Sequence, residues 1–101
     1  MGEPIYVFLA QAIAADGSEY RPGARHAMIV YVSAHSTELA RSRVIEKINS
    51  AGWMETMILS GGAVSNAAME GRHPVLQEAF DGAVESGVAI IIYREELRHN
   101  A

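Results

Sequence analysis

Cysteine is missing from all 101 residues of this chain. That excludes disulfides, thiol nucleophiles and every thiolate metal site. Lysine occurs once, at Lys47, and aspartate only at Asp16 and Asp81. A basic excess is lacking as well. Eight bases against twelve acids leave a net charge of −4, which gives a nucleic-acid phosphate backbone nothing to bind. No apolar run is long enough to cross a bilayer, which needs about 20 residues. The longest, Ile5 to Ala15, is interrupted by Gln11.

That same run, with the small residues of Ala12-Ile13-Ala14, raises the question of a secretory signal. The preceding Met1-Gly2-Glu3-Pro4 carries an acid and no base, the wrong flank for one. The expected compartment is the cytoplasm. Sixteen alanines and seven arginines against one lysine further suggest a bacterial source.

The catalytic and phosphate-binding motifs are also missing. There is no GxGxxG, no GxxxxGK[ST], no HExxH and no GxSxG. His26, His35, His73 and His99 form no close-spaced pair, so no metal site is expected, and no cofactor. The bases Arg41, Arg43 and Lys47 are scattered around one helix and diluted by Glu38 and Glu46.

What remains is a chain that is half hydrophobic and one-fifth charged, the profile of a folded globular domain. Its length predicts one domain over 1–101. Residues 5 to 14 read as a strand with apolar residues on both parities. Asp16-Gly17 and Arg21-Pro22-Gly23 are turn signals, so 16–25 is expected to be an exposed hairpin loop. A second strand runs from about His26 to Ser33. Ser36 is a plausible N-cap for a helix that ends near Ser50, with Gly52 closing it. Trp53 to Leu59 reads as a third strand, broken by Ser60-Gly61-Gly62. A short helix over Ala63 to Glu70 is expected to end at Gly71. A clearer helix begins at Pro74, buries Leu76, Ala79, Phe80, Ala83 and Val84, and closes at Gly87. Val88 to Tyr93 is a fourth strand, and 94–101 a charged, frayed tail.

The order β-β-α-β-α-β predicts an α+β two-layer sandwich. Its four-stranded sheet should be mixed, because helical crossovers imply that strands two, three and four run parallel. The helices are expected mainly on one face. A two-layer arrangement leaves several hundred square ångströms of apolar sheet facing water, more than soluble monomers ordinarily tolerate. The second face should therefore be covered, either by another copy of the chain in a homodimer or by the segment 63–70. The remaining alternative is a monomer with one helix on each face.

In parallel sheets, ligands bind beyond the carboxyl ends of the strands. That rule gathers Ser33, Ser36, Ser60, Gly61, Gly62 and Arg94 as ligand-binding candidates. His35, in the same region, is the candidate acid or base. Free backbone N–H groups at Gly61-Gly62 suit an anion or phosphate if a helix follows. Two functions follow. The first is a small non-catalytic interaction module, homodimeric, binding a protein partner or a small anionic ligand. The alternative is a small enzyme or anion-metabolite binder, with its pocket at His35 and Ser60–Gly62.

Overall fold

The computed structural model describes residues 3–69, 71 and 73–97. The elements are β1 (Ile5–Ala14), β2 (Arg25–Ser33), α1 (Thr37–Ser50), β3 (Trp53–Val64), α2 (Asn66–Met69), α3 (Pro74–Ser86) and β4 (Val88–Glu96). They form an α+β fold built on one four-stranded sheet, in the order β3-β1-β2-β4.

Every pairing in that sheet is antiparallel: β1 with β2, β1 with β3, and β2 with β4. This corrects the expected mixed sheet. The crossover through α1 does leave β2 and β3 running in the same direction, but β1 lies between them. Strand β4 joins the far edge in the opposite sense.

The helix signals act locally and hold. Ser36 caps α1, its Oγ accepting from Leu39 N–H at 3.2 Å. Gly52, just past α1, takes the left-handed φ of 96° that a helix end favours. Pro74 opens α3, and Gly87 closes it with a φ of 97°.

Strand parity sorts the core into two clusters on opposite faces of the sheet. Phe8, Ala10, Ala12, Met28, Val30 and Val32 pack with Ala40, Val44 and Ile48 of α1, and with Trp53. Ile5 and Tyr31 pack with Met69 of α2 and with Ala79, Phe80 and Ala83 of α3. The helices thus lie on both faces, not mainly on one.

They cover those faces unequally, and the connections say why. Strand β2 ends level with Ile5, whereas β3 begins level with Ala14. Helix α1 must therefore travel the length of the sheet. Strand β3 ends level with Ile5 again, and Val88 of β4 starts beside Val32, one residue along. Helix α3 starts and finishes at the same end, so it crosses that end from edge to edge.

The result is a second face only half covered. Beyond α3, Leu9, Met54, Met57 and Tyr93 are 39%, 46%, 51% and 46% exposed. Leu9 pairs with Ser60, Gln11 with Met57 and Ile13 with Met54, so these residues share the face of Ile5 and Val7.

Two further expectations change. Ser60-Gly61-Gly62 does not break β3, which continues through it to Val64. Arg94 to Glu96 belong to β4 and not to a frayed tail, Glu96 pairing with His26. Residues 98–101 lie outside the described residues, as does Glu70 at the end of the expected short helix.

Candidate functional site

The uncovered second face ends in a cleft of about 560 Å³ beside α2 and the start of α3. Its walls are Val7, Leu9 and Ile29 of the sheet, the segment Ser60–Val64, and Met69 and Leu76 from the helices. No charged side chain lines it among the described residues. Tyr31 is buried at its inner side, its ring set edge-on to Phe80 and its hydroxyl 3.9 Å from Met69 Sδ.

The two glycines of this wall are there for different reasons. A Cβ on Gly61 would lie 2.1 Å from a ring carbon of Phe8 and 2.7 Å from the Val7 carbonyl oxygen. Phe8 is a fully buried ring of the main core, so Gly61 permits a close approach of β3 to β1. A Cβ on Gly62 meets nothing within 4 Å. Gly62 has no positive φ that would require glycine, and it faces the cleft.

The other predicted ligands are scattered, because β3 runs on past Ser60 to Val64 and β4 runs antiparallel to β2. Ser33 pairs with Ile5, whereas Ser60 pairs with Leu9, four residues further along β1. That puts them roughly 13 Å apart along the strand direction. Arg94 follows Ile92, which pairs with Met28, and so sits at the opposite end of the sheet from Ser33. Gly61 and Gly62 are ladder residues opposite Phe8 and Val7, not the approach to a helix N-terminus.

Ser33 and His35 do remain together, around Glu3, while the next residue, Ser36, is engaged in capping α1. The Glu3 carboxylate accepts from Ser33 Oγ at 3.2 Å and from Arg43 at 3.4 Å, and lies 3.0 Å from His35 Nε2. Arg43 also donates to the Ser33 carbonyl. The His35 side chain is 79% exposed. An ion pair this open to water is weakly held and has no enclosed space in which to do chemistry. A second cleft, of about 430 Å³, runs between Arg43, Lys47 and Ser50 on α1 and Ser86–Val88. Of its two bases among the described residues, Arg43 is engaged by Glu3 and Ser33, and Lys47 shares the lining with the acidic Glu46.

One residue stands out that reading the sequence did not single out. His26 is 1% exposed, with its ring 4.7 Å from Tyr20 and 5.5 Å from Trp53. Its Nδ1 donates to the Tyr93 carbonyl at 2.8 Å, while Nε2 is buried with no hydrogen-bond partner among the described residues. Tyr20 comes from the 15–24 loop, which folds back over the main core instead of projecting freely. Bidentate hydrogen bonds from Arg21 to Glu96, at 2.7 and 3.1 Å, fasten that loop to β4.

Among the described residues, no three His, Asp or Glu side chains converge in a way that could hold a metal ion, and no helix is long and apolar enough to cross a membrane. No family model matches the chain, and no match was found among curated proteins or among solved structures. Its function has to be argued from the surface and the cleft.

Proposed function

We propose that this chain is a small non-catalytic binding module that works as a homodimer, two copies meeting through the open half of the second sheet face. The observation that carries this reading is the incomplete cover left by α3, with Leu9, Met54, Met57 and Tyr93 exposed together. The patch is apolar around Gln11, with Arg25 on the same face opposite Ile13 at its end, so a two-fold mate has to meet the apolar part while keeping the two Arg25 side chains apart. Burying roughly 100 Å² of such surface is worth about 2.5 kcal/mol, which gives apposition a driving force. The bias to alanine and arginine supports a bacterial setting for this role, and the acid in Met1-Gly2-Glu3-Pro4 a cytoplasmic one.

The alternative, a small enzyme or anion binder at His35 and Ser60–Gly62, has less support. Its residues lie on two separated stretches of the sheet, and its glycines offer no helix N-terminus to an anion. Sedimentation equilibrium from low micromolar to near-millimolar protein tests the homodimer. A mass rising to twice that of the chain is expected. A strict monomer throughout sinks it.

A further inference from the structure

We infer that the cleft beside Gly62 is a binding site for a small, uncharged, largely apolar molecule. Three observations converge on it. Its volume of about 560 Å³ falls within the approximately 300–1,000 Å³ of sites that take small ligands. Its lining among the described residues carries no charge, so none of those side chains offsets the hydration an ion would lose on entering. Gly62 stands on its wall where neither backbone nor packing asks for glycine, and a side chain there would occupy the space.

Glycine in a strand interior weakens the strand and forgoes side-chain packing. Gly61 has a structural reason in its contact with Phe8, and Gly62 has none within the fold. The space in front of Gly62 is the property its lack of a side chain preserves. The Ser60 hydroxyl adds hydrogen-bonding capacity to an otherwise apolar surface. The ligand class is therefore a neutral ring or short branched chain with at most one or two polar atoms. Leu9 belongs both to the cleft and to the open half of the face, but the site does not depend on dimerisation.

The methionines make the test direct. Met69 lines the cleft, Met54 and Met57 lie on the open half of the face, and Met28 is buried in the core on the opposite face. Protein labelled with ¹³C at the methionine methyl groups is titrated with indole and cyclohexanol as neutral probes, and with benzoate and inorganic phosphate as anions. The expected result is a saturable Met69 shift with the neutral probes, still Met54, Met57 and Met28 signals, and no response to phosphate. Gly62→Val should keep the melting temperature and weaken the Met69 response at least tenfold. Ala68→Leu, which narrows the cleft from the α2 side, should do the same should the first variant fold poorly. A Met69 signal unmoved by either neutral probe overturns the inference. So does movement confined to Met54 and Met57, a stronger response to the anions, or a well-folded Gly62→Val that binds like the parent. Sedimentation of the same samples reads dimerisation separately, so the two proposals fail independently.

Discussion

The Nδ1 atom of His26 and the carbonyl oxygen of Tyr93 are 2.8 Å apart, a hydrogen bond that joins β2 to β4 through a side chain buried between Tyr20 and Trp53. It lies where the β2–β4 ladder slips register between His26 and Met28. A bulge leaves a carbonyl without its regular strand partner, and the imidazole supplies one. His26→Ala removes the ring and leaves both a cavity and an unpaired carbonyl, so it should cost about 3 kcal/mol. His26→Phe fills the cavity with a somewhat larger ring, keeps the aromatic contacts and also removes the orphaned Nε2. It should cost less than half as much in urea denaturation, and equal losses would show that packing is not the main contribution.

The two glycines of β3 should respond oppositely to alanine. Gly61→Ala drives a methyl group into the Phe8 ring and the Val7 carbonyl, neither of which is a flexible chain end that can yield. Overpacking of this kind costs about 2 to 3 kcal/mol. Gly62→Ala enters open space and restrains the unfolded chain, so it should be neutral or stabilising by about 0.5 kcal/mol. Thermal melts of the pair check the sign of the difference.

Much of this fold can be read from local chemistry, and the rest fails for a definable reason. Ser36, Gly52, Pro74 and Gly87 mark helix ends because capping depends on a residue and its nearest neighbours. The two-sided apolar pattern of β1 correctly implies that both sheet faces are buried, at least in part. Strand adjacency does not follow from such signals. The α1 crossover shows that β2 and β3 point the same way, but nothing local reveals that β1 lies between them. The mixed sheet fails on that misplacement and on α3, which returns β4 antiparallel to β2 instead of crossing over. Ser33, Ser60 and Arg94 fail to converge because β3 runs on past Ser60 to Val64 and the reversed β4 carries Arg94 to the other end. The register shifts of β3, with Glu55 at a positive φ of 51°, let the strand run on through Ser60-Gly61-Gly62, where sequence alone suggests a break. The burial of His26 is hidden for the same reason, since Tyr20, Trp53 and Tyr93 reach it from three other segments.

Acid should loosen the 15–24 loop through Glu96. Hydrogen bonds from Arg21 hold the Glu96 carboxyl below its usual range, over a smaller opposing effect of desolvation. A carboxyl depressed in the folded state contributes stability above its unfolded pKa and loses that contribution as the pH falls through the folded value. The protection of the loop amides, measured against the intrinsic exchange rate at each pH, should therefore fall on acidification below the ordinary carboxylate range. In Arg21→Ala that protection should be low at all pH values, and the Glu96 carboxyl should titrate nearer its normal position by ¹³C NMR. Unchanged exchange in that variant would mean that Tyr20 alone secures the loop.

The N-cap of α1 offers a cleaner test of the Ser33–Ser36 region than any assay of activity. Ser36 Oγ satisfies the Leu39 N–H, and no other side chain among the described residues does so. Ser36→Ala should lower stability by about 1 kcal/mol, with Ser36→Asp retaining most of it. His35→Ala, at an exposed pair with Glu3, should barely move the melting point. A large loss at His35 with none at Ser36 would reverse the roles assigned to these neighbours.

Charge placed on the open half of the second face should separate association from folding. Met54 and Met57 are about half exposed in the single chain and lie beyond the reach of α3, so Met54→Lys and Met57→Lys remove little packing from the monomer. At low micromolar concentration their denaturant midpoints should match that of the parent. Across a two-fold interface the same lysines approach their counterparts and bury a charge without a partner, a cost of several kcal/mol. The monomer–dimer constant should therefore weaken at least a hundredfold in sedimentation equilibrium. The parent's melting temperature should rise with protein concentration, while that of the double variant stays flat, because only association makes stability depend on concentration. A double variant that still dimerises like the parent would move the interface off this face. The exposed edge strand β3 would then be the surface to examine, since Leu59 remains 46% exposed there.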